Sequence, residues 1–409
     1  MPEAVIVSVA RSPIGRANKG SLKDLRPDDL SATIIQAALD KIPALDPSTI
    51  DDHYLGCGLP GGESGNNMAR IVNVLMGLDA VPGATITRYC SSSVQTSRMA
   101  FHAIKAGEGD VFISAGVEMV SRFAKGTSDH WPDTRNPLFA DAEQRTRDTA
   151  AGDGTTTPDW HDPREDGVLP DAYIAMGQTA ENVAKLRGLS RQELDEFGVR
   201  SQNLAEKAIA DGFWAREITP VTTPDGTVVS ADDGPRAGVT IAAASQLKPV
   251  FRPDGVVTAG NCCPLNDGAA AVVIMSDTKA AELGLTPLAR IVSTGVSGLS
   301  PEIMGLGPVE ATRNALRYAG MSIGDIDLVE INEAFAAQVV PSYQDLGIDI
   351  DRLNVNGGAI AVGHPFGMTG ARLQNTMLNS LDWHDKTTGL ITMCVGGGQG
   401  MAMILERLS

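Results

Sequence analysis

The chain of 409 residues contains few aromatic residues, few cysteines and fewer basic than acidic residues. Aromatic side chains make up 4% of it, while alanine, valine, isoleucine and glycine are abundant. This mixture favours helices packed closely on sheets. The length suffices for two or three domains, and the hydrophobic content of 43% can fill large cores.

Positive charge is scarce, because 33 lysines and arginines face 50 aspartates and glutamates, which gives a formal net charge of −17. An acidic surface argues against general binding of nucleic acids or anionic membranes. No segment approaches the roughly 20 apolar residues of a membrane helix, and residues 1–10 predict a strand rather than a signal peptide. We therefore expect no nucleic-acid partner and no membrane insertion.

Cysteine is also scarce, and the number and spacing of these residues do not indicate a disulfide framework. The five cysteines are Cys57, Cys90, Cys262, Cys263 and Cys394. A reducing cytoplasm is the expected location, since it keeps thiols available for chemistry. The pair Cys262–Cys263 lacks enough neighbouring ligands for a metal, so we predict no metal site and expect both side chains to be buried.

Two of the cysteines stand in turns of small residues. Cys90 lies in the sequence Arg-Tyr-Cys-Ser-Ser-Ser, and Cys394 is followed by Val-Gly-Gly-Gly. Between them, His364 lies in a Gly-His-Pro sequence within a glycine-rich run. A thiolate can form a thioester, and an imidazole moves protons near neutral pH. The pattern predicts an enzyme that forms a covalent thioester.

Strand and helix patterns alternate at both ends of the chain. The runs 4–10 and 111–116 predict buried strands, and 94–106 predicts a helix with one apolar face. The far end repeats this order, with a predicted strand at 289–293 and a helix at 309–318. The sequence therefore predicts an α/β fold built from two similar halves.

The middle of the chain has a different composition. Residues 125–171 are rich in Asp, Thr, Pro and Gly and predict loops, whereas 177–209 predict helix with a capping box at Ser190–Glu193. The change in composition predicts that this region is an insertion into the first half. The predicted division is an N-terminal half of residues 1–120 and 251–285, an inserted loop domain of residues 121–250, and a C-terminal half of residues 286–409.

Several short stretches, in this order, make the chain similar to the thiolase family, the acyl-CoA:acetyl-CoA C-acyltransferases, over nearly its whole length. The stretches are Arg88–Ser92, Asn261 with Leu265–Ala270, Asn332–Phe335, Asn356–Ile360, Gly363–Pro365 and Cys394–Gly400. The resemblance implies a five-layer α-β-α-β-α sandwich with an inserted loop domain. It also implies a homodimer or homotetramer, CoA and acyl-CoA as substrates, and no metal or redox cofactor.

The resemblance implies roles for three reactive side chains. Cys90 would be the nucleophile, at a helix start that favours a thiolate. His364 would take the Cys90 proton and help to bind a thioester oxygen, and Cys394 would be a second acid and base. The alternative for each is a structural side chain in the core, and the matching neighbours favour catalysis.

Three further residues complete the expected site. The resemblance implies that Asn332 positions a water, which with His364 forms one oxyanion hole, and that the N–H groups of Cys90 and Gly396 form another. Without the family, Asn332 would predict a helix N-cap. Met176 resembles a position that lines the acyl pocket, the alternative being a core methionine.

Some positions depart from the family pattern. Ser93 stands where relatives almost always have glycine and could narrow the pocket, and Met368 and Thr369 replace an Ala-Ser pair. Ala175 stands where short-chain biosynthetic thiolases tend to have histidine. The Arg-X-Cys-Ser-Ser form around Cys90 resembles the degradative branch, so we expect cleavage of 3-ketoacyl-CoA.

Other functions are compatible with this fold. The first alternative is an acetyl-CoA C-acetyltransferase that forms acetoacetyl-CoA. A decarboxylating condensing enzyme or a hydroxymethylglutaryl-type synthase shares the nucleophilic cysteine but would not be expected to carry both Cys394 and the Asn332–Phe335 sequence. A non-catalytic relative that binds acyl-CoA is the remaining alternative.

Overall fold

A computed structural model describes residues 2–125, 134–151 and 159–409. Within these ranges the strands are β1 Ala4–Arg11, β2 Gly15–Arg16, β3 Asp52–Cys57, β4 Gly83–Ile86, β5 Val111–Met119, β6 Val221–Thr222, β7 Val228–Val229, β8 Asn266–Ser276, β9 Ala289–Gly298, β10 Leu328–Ile331, β11 Thr388–Val395 and β12 Gln399–Arg407. The helices are α1 Pro27–Leu39, α2 Met68–Leu75, α3 Ser92–Ala106, α4 Ala140–Ala151, α5 Met176–Leu186, α6 Arg191–Ala210, α7 Ile241–Ala244, α8 Asp277–Glu282, α9 Gly307–Ala319, α10 Ala336–Leu346, α11 Ala359–Val362 and α12 Thr369–Trp383.

The strands of the two halves follow the same pairing pattern. In the first half, β8 is antiparallel to both β1 and β5, and β5 is parallel to β3, beyond which lies β4. In the second half, β12 is antiparallel to both β9 and β11, and β11 is parallel to β10. Among the described strands, the sheets of the two halves join where Val5 and Ile6 of β1 pair with β9. The repeated topology agrees with the two similar halves expected from the sequence.

The helices form layers around these sheets. Helices α3 and α12 pack on each other and against strands of both halves, so they form the central layer. Helices α1, α2 and α8 cover the outer face of the first sheet, and α9 covers the outer face of the second. The result is the five-layer sandwich expected from the sequence. It places the starts of α3 and α12, which follow Cys90 and the Gly363–Pro365 segment, in the middle of the molecule.

The inserted region is less irregular than its composition predicts. Residues 126–133 and 152–158 of the predicted loop lie outside the described residues, but α4 forms within it. Because α4 is polar and buries only Ala142, apolar periodicity could not reveal it. The capping box is confirmed, since the Ser190 hydroxyl accepts from Glu193 N and the Glu193 carboxylate accepts from Ser190 N. The exact domain boundaries stay a prediction.

A buried ionic cluster joins the first strand to the inserted region. The fully buried Arg11 at the end of β1 donates from Nε to Glu217 and from Nη1 and Nη2 to the two oxygens of Asp232, at 2.8 and 3.0 Å. Its guanidinium also lies over the ring of Trp214. Every charge in this cluster is therefore paired within the interior, as a buried charge requires.

Replacement of Arg11 tests this cluster. We expect Arg11→Ala to lower the free energy of unfolding by about 3–5 kcal/mol, because it leaves buried carboxylates without a partner. Lys207→Ala is the matched control, since Lys207 pairs with Asp211 on the exposed surface and such pairs contribute at most about 1 kcal/mol. Chemical denaturation of both variants measures the difference. Equal losses would contradict a structural role for the cluster.

Candidate active site

A sharp turn between β4 and α3 presents Cys90. The turn Tyr89–Ser91 is a short 3-10 helix, and Tyr89 has a φ of 43°, in the left-handed region that is unfavourable for a residue with a side chain. Ser92 stabilises the turn, because its hydroxyl accepts from Arg88 N at 2.9 Å and donates to Tyr89 O at 2.6 Å. The sulfur of Cys90 is thereby fixed just before the first residue of α3.

Two backbone N–H groups converge on the Cys90 sulfur. Burial raises the pKa of the Cys90 thiol to about 12, although the N–H groups of Gly396 and of Cys90 itself act to lower it. The carboxyl of Glu118 adds to the increase. The helix start was expected to favour a thiolate, and the two N–H groups act in that direction, but burial outweighs them and favours the thiol.

A cavity of about 410 Å³ opens over this turn. Cys90, Gly396 and Met176 line it, so three of the predicted site residues share one wall. Tyr173 and Phe366 also line it, which gives the cavity an aromatic surface in a chain that has few aromatic residues. A side chain at Gly396 would contact the ring of Tyr89 at 3.2 Å, so glycine keeps the approach to the sulfur open.

His364 is almost completely buried, and its ring packs against Phe366, which lines the cavity, with the ring centroids 5.3 Å apart. Its backbone N donates to Asn266 Oδ1 at 2.9 Å, and its Nδ1 lies 2.6 Å from the Thr369 hydroxyl. Burial lowers the pKa of His364 to about 3, and the positive charge of Arg372 acts in the same direction. The imidazole is therefore neutral at physiological pH.

Asn332 contacts the imidazole of His364. Its Nδ2 lies 3.3 Å from Nε2 and 3.4 Å from Nδ1, and its Oδ1 is a buried acceptor without a hydrogen-bond partner among the described residues. The interpretation of Asn332 as a helix N-cap is wrong, because α10 begins at Ala336 and is preceded by Phe335. Its side chain faces the site instead.

Cys394 lies in β11, two residues before Gly396, and is fully buried. Burial raises the pKa of the Cys394 thiol well above its usual value, and the charge of Cys90 raises it further. The two sulfurs are thus near enough to influence each other's ionisation. The structure brings Cys90 beside Gly396, His364 beside Asn332, and Cys394 within electrostatic range of Cys90.

The pair Cys262–Cys263 is partly buried, and neither cysteine is fully enclosed as the sequence suggested. Burial raises the pKa of the Cys263 thiol, and the charges of Cys262, Cys90 and Cys394 raise this pKa further. Cys263 N donates to Ala334 O at 3.1 Å, which places this segment beside the Asn332 loop. Over the described residues, no group of three or more His, Cys, Asp or Glu side chains is arranged to hold a metal ion.

Glu118 is a site residue that sequence reasoning missed. This buried carboxylate at the end of β5 accepts from Gly58 N at 2.7 Å, Leu59 N at 3.2 Å and Gly367 N at 2.8 Å. It connects the cavity wall at Leu59 to the loop that follows His364. Burial raises its pKa to about 7, while these N–H groups act to lower it. An acidic residue inside an otherwise apolar strand was the available signal.

Ser93 has a role that explains its departure from the family pattern. Its hydroxyl accepts from Ala371 N, in the first turn of α12, at 2.8 Å. Met368 precedes α12, and its side chain cannot accept a hydrogen bond from the first N–H groups of the helix. Ser93, from the first half of the molecule, supplies an acceptor for one of these N–H groups. Ser93 is not among the residues that line the cavity, and it does not narrow the pocket.

A buried thiol with two N–H donors at its sulfur, and a neutral imidazole packed on a ring that lines the same cavity, suit thiol-dependent acyl transfer. The comparison with protein families agrees with this chemistry. Residues 4–278 match the thiolase N-terminal domain, and residues 285–407 match the thiolase C-terminal domain. The chain belongs to the thiolase family and is an acyltransferase.

Similar proteins match along their whole length. The 3-ketoacyl-CoA thiolase of Bacillus subtilis (strain 168) is 42% identical, with 99% of this chain and 100% of the relative covered. The 3-oxoadipyl-CoA/3-oxo-5,6-dehydrosuberyl-CoA thiolase of Escherichia coli (strain K12) is 43% identical, with both chains fully covered. The crystal structure of the dimeric peroxisomal thiolase of Saccharomyces cerevisiae matches with a TM-score of 0.87 and 33% identity, over 99% of this chain and 97% of that one.

Removal of the Glu118 carboxylate tests how the site is held together. We expect Glu118→Ala to lower the free energy of unfolding by at least about 2 kcal/mol, because it leaves three buried N–H groups without their acceptor. Turnover falls as well, since the loop after His364 loses its anchor. Denaturant unfolding and activity assays measure both effects. Glu310→Ala, on the exposed surface, is the control, and the same small effect in both variants would contradict the role.

The same residue contributes a pH dependence. The folded protein raises the pKa of Glu118 from 4.5 to about 7, so between these values the folded state binds more protons than the unfolded state. Its contribution to stability therefore falls as pH rises through this window. Glu118→Gln removes the titrating carboxyl and with it this part of the pH dependence. The free energy of unfolding, measured in both proteins between pH 4.5 and about 7, should fall less steeply with pH in the variant. An unchanged slope would show that Glu118 does not titrate there.

Proposed function

We propose that this protein cleaves 3-ketoacyl-CoA with CoA, giving acetyl-CoA and a shortened acyl-CoA through an acyl thioester on Cys90. The observation that carries this proposal is the convergence of the Gly396 and Cys90 N–H groups on the Cys90 sulfur, at the wall of the cavity. An oxygen that becomes negative on a carbon attached to this sulfur would lie near both donors. Donors fixed in this way stabilise the transition state for acyl transfer.

The first half-reaction begins from an uncharged pair. Cys90 is a thiol and His364 a neutral imidazole, so His364 accepts the thiol proton as the sulfur attacks the 3-keto carbon. The bond between C2 and C3 then breaks, and its electron pair forms the enolate of acetyl-CoA. Cys394 gives a proton to that enolate, acetyl-CoA leaves, and the acyl group remains on Cys90.

The second half-reaction regenerates the enzyme. The thiol of an incoming CoA gives its proton to Cys394, and the CoA sulfur attacks the acyl carbon on Cys90. The bond between that carbon and the Cys90 sulfur breaks, and Cys90 regains its proton from His364. The proximity of the Cys90 and Cys394 sulfurs supports the use of one acid and base in both steps.

Asn332 and His364 are proposed to form the second oxyanion hole. Once His364 has accepted the Cys90 proton, its Nε2–H can donate to the thioester oxygen of the departing acetyl group. The buried Oδ1 of Asn332 lacks a partner among the described residues and can accept from a water that faces the same oxygen. A buried acceptor of this kind requires a hydrogen-bond donor, which supports the ordered water.

The walls of the cavity favour an acyl group larger than acetyl. Tyr89, Tyr173, Phe366, Leu59 and Met176 provide mainly apolar and aromatic contacts. The volume of about 410 Å³ lies in the ordinary range for small-molecule sites. These contacts favour the 3-ketoacyl-CoA reaction over acetoacetyl-CoA formation. CoA and acyl-CoA are substrates in this scheme, and no resident cofactor is proposed.

Removal of the nucleophile tests the proposed reaction. We expect Cys90→Ala to lose more than about 1,000-fold in turnover, because the covalent route is closed. Cys262→Ala is the control, since it removes a partly buried thiol that does not line the cavity, and this variant should keep most of the turnover. The assay is CoA-dependent cleavage over a panel of 3-ketoacyl-CoAs of increasing chain length. Intact-mass spectrometry after mixing with acyl-CoA should show an adduct that Cys90→Ala lacks.

The outcomes separate the alternatives. An equal adduct on Cys90→Ala would overturn the assignment of the nucleophile. An adduct without cleavage would indicate a non-catalytic acyl-CoA-binding protein. Cleavage restricted to acetoacetyl-CoA would favour the acetyl-CoA C-acetyltransferase alternative.

We propose that the protein is a homodimer formed through the edge of the first sheet. Among the described strands, β4 ends that sheet, and the neighbouring α2 exposes Ile71, Val74 and Leu75. An open strand edge beside an apolar patch favours association with another chain. The relative from Saccharomyces cerevisiae is described as dimeric, and self-association with twofold symmetry is the commonest arrangement. A homotetramer would pair two such dimers.

Light scattering tests the interface. We expect the unaltered protein to have the mass of two chains, or of four chains if dimers pair. Val74→Glu should shift the measured mass towards that of a single chain, because the new charge would be buried at the contact. Val228→Glu, at an exposed apolar position in β7, is the control and should leave the mass unchanged. An unaltered mass for Val74→Glu would show that the interface does not include this face of α2.

The free thiols support a proposal for the location of the protein. All five cysteines are free, and the proposed chemistry needs Cys90 and Cys394 reduced. This supports a reducing compartment, and we propose the cytoplasm. No helix among the described residues is both long and apolar enough to span a membrane.

A further inference from the structure

A hydroxyl lies between the imidazole of His364 and a backbone carbonyl. Thr369, the first residue of α12, is completely buried. Its Oγ1 lies 2.6 Å from His364 Nδ1 and 2.6 Å from the carbonyl oxygen of Pro365. A neutral imidazole carries one proton, and the hydroxyl beside Nδ1 decides which ring nitrogen holds it.

The two contacts of the hydroxyl permit one arrangement of protons. A carbonyl oxygen can only accept, so at 2.6 Å the single hydrogen of the Thr369 hydroxyl must point to Pro365. The hydroxyl then offers a lone pair to His364 Nδ1, and the ring nitrogen must be the donor. The proton of the neutral imidazole is therefore on Nδ1, and Nε2 carries a free lone pair.

Asn332 contacts the ring without selecting a tautomer. Its amide Nδ2 lies 3.3 Å from His364 Nε2 and 3.4 Å from Nδ1, so it is almost equidistant from the two ring nitrogens. The assignment of the proton to Nδ1 therefore rests on the two contacts of the Thr369 hydroxyl.

We propose that Thr369 is a positioning residue that holds His364 in the Nδ1–H tautomer, so that Nε2 is the atom that takes the Cys90 proton. This inference rests on the proposed function, in which His364 is the base. In the step itself the S–H bond of Cys90 breaks and an N–H bond forms at Nε2. Nδ1–H continues to donate to Thr369, whose O–H continues to donate to Pro365, so the imidazolium is stabilised without losing a second proton.

Threonine suits this position better than a more flexible alcohol. A branched Cβ restricts rotation about χ1, and the side chain has no room to move in the core. The Thr369 hydroxyl donates to the carbonyl oxygen of Pro365, four residues earlier in the chain. The same carbonyl oxygen also accepts from Thr369 N at 3.0 Å. The geometry of His364 is thus fixed by the first turn of α12.

Three substitutions on α12 test the proposal. Thr369→Val keeps the shape and removes the hydroxyl, and we expect kcat to fall at least about 10-fold, a part of the contribution of a general base. KM should change little, because Thr369 does not line the cavity. Thr369→Ser restores the hydroxyl and should recover most of kcat. Thr376→Val is the control, because Thr376 is an equally buried threonine on the same helix that contacts Glu217.

Nuclear magnetic resonance of 15N-histidine-labelled protein supplies a readout that a merely structural role would not move. Two-bond proton–nitrogen correlations distinguish Nδ1–H from Nε2–H, and the signal missing from His364→Asn identifies the residue. We expect the Nδ1–H pattern in the unaltered protein, Thr369→Ser and Thr376→Val, and a loss of it in Thr369→Val.

Each result decides one of the two proposals. An Nε2–H pattern in the unaltered protein, or an unchanged pattern and kcat in Thr369→Val, would overturn the role of Thr369. If Thr369→Val does not fold, the spectra of the unaltered protein and of Thr369→Ser still decide the tautomer. An Nδ1–H pattern in a protein that cleaves no 3-ketoacyl-CoA would count against the proposed function and not against the tautomer.

Discussion

The close contact between α3 and α12 in the central layer is the constraint on which the site depends. At Gly370, an added Cβ would lie 2.4 Å from the backbone nitrogen of Val94, so the helices could not approach this closely with any side chain there. Ser93 then bonds across the contact to the first turn of α12. Because Cys90 precedes one helix and His364 precedes the other, this contact determines the relative position of the proposed nucleophile and the proposed base.

The parts of the structure that depend on local pattern could be predicted from the sequence. Alternating strands and helices indicated two similar halves, and the turns around Cys90, His364 and Cys394 indicated the site. The contacts of Glu118 and Ser93 could not be predicted, because they join residues far apart in the chain. The protonation of Cys90 was also beyond sequence reasoning, since the helix start is visible in the sequence but the degree of burial is not.

Burial shifts the pKa in opposite directions for the two groups that exchange the first proton in the proposed reaction. It raises the pKa of Cys90 to about 12 and lowers that of His364 to about 3, because each group is disfavoured in its charged form. Proton transfer between them is thus unfavourable in the interior. The N–H group of Gly396 acts to lower the pKa of Cys90, and the proposed contact with Thr369 stabilises the imidazolium, so each offsets part of the cost, one for negative and one for positive charge.

The protonated state of Cys90 has a consequence for how the protein survives between turnovers. Oxidants and alkylating agents react with the thiolate rather than with the thiol. In the proposed reaction the Cys90 sulfur ionises as it attacks the acyl-CoA, and the burial that raises its pKa keeps it a thiol otherwise. The same burial that opposes its activation therefore also opposes its reaction with peroxide and with electrophilic metabolites.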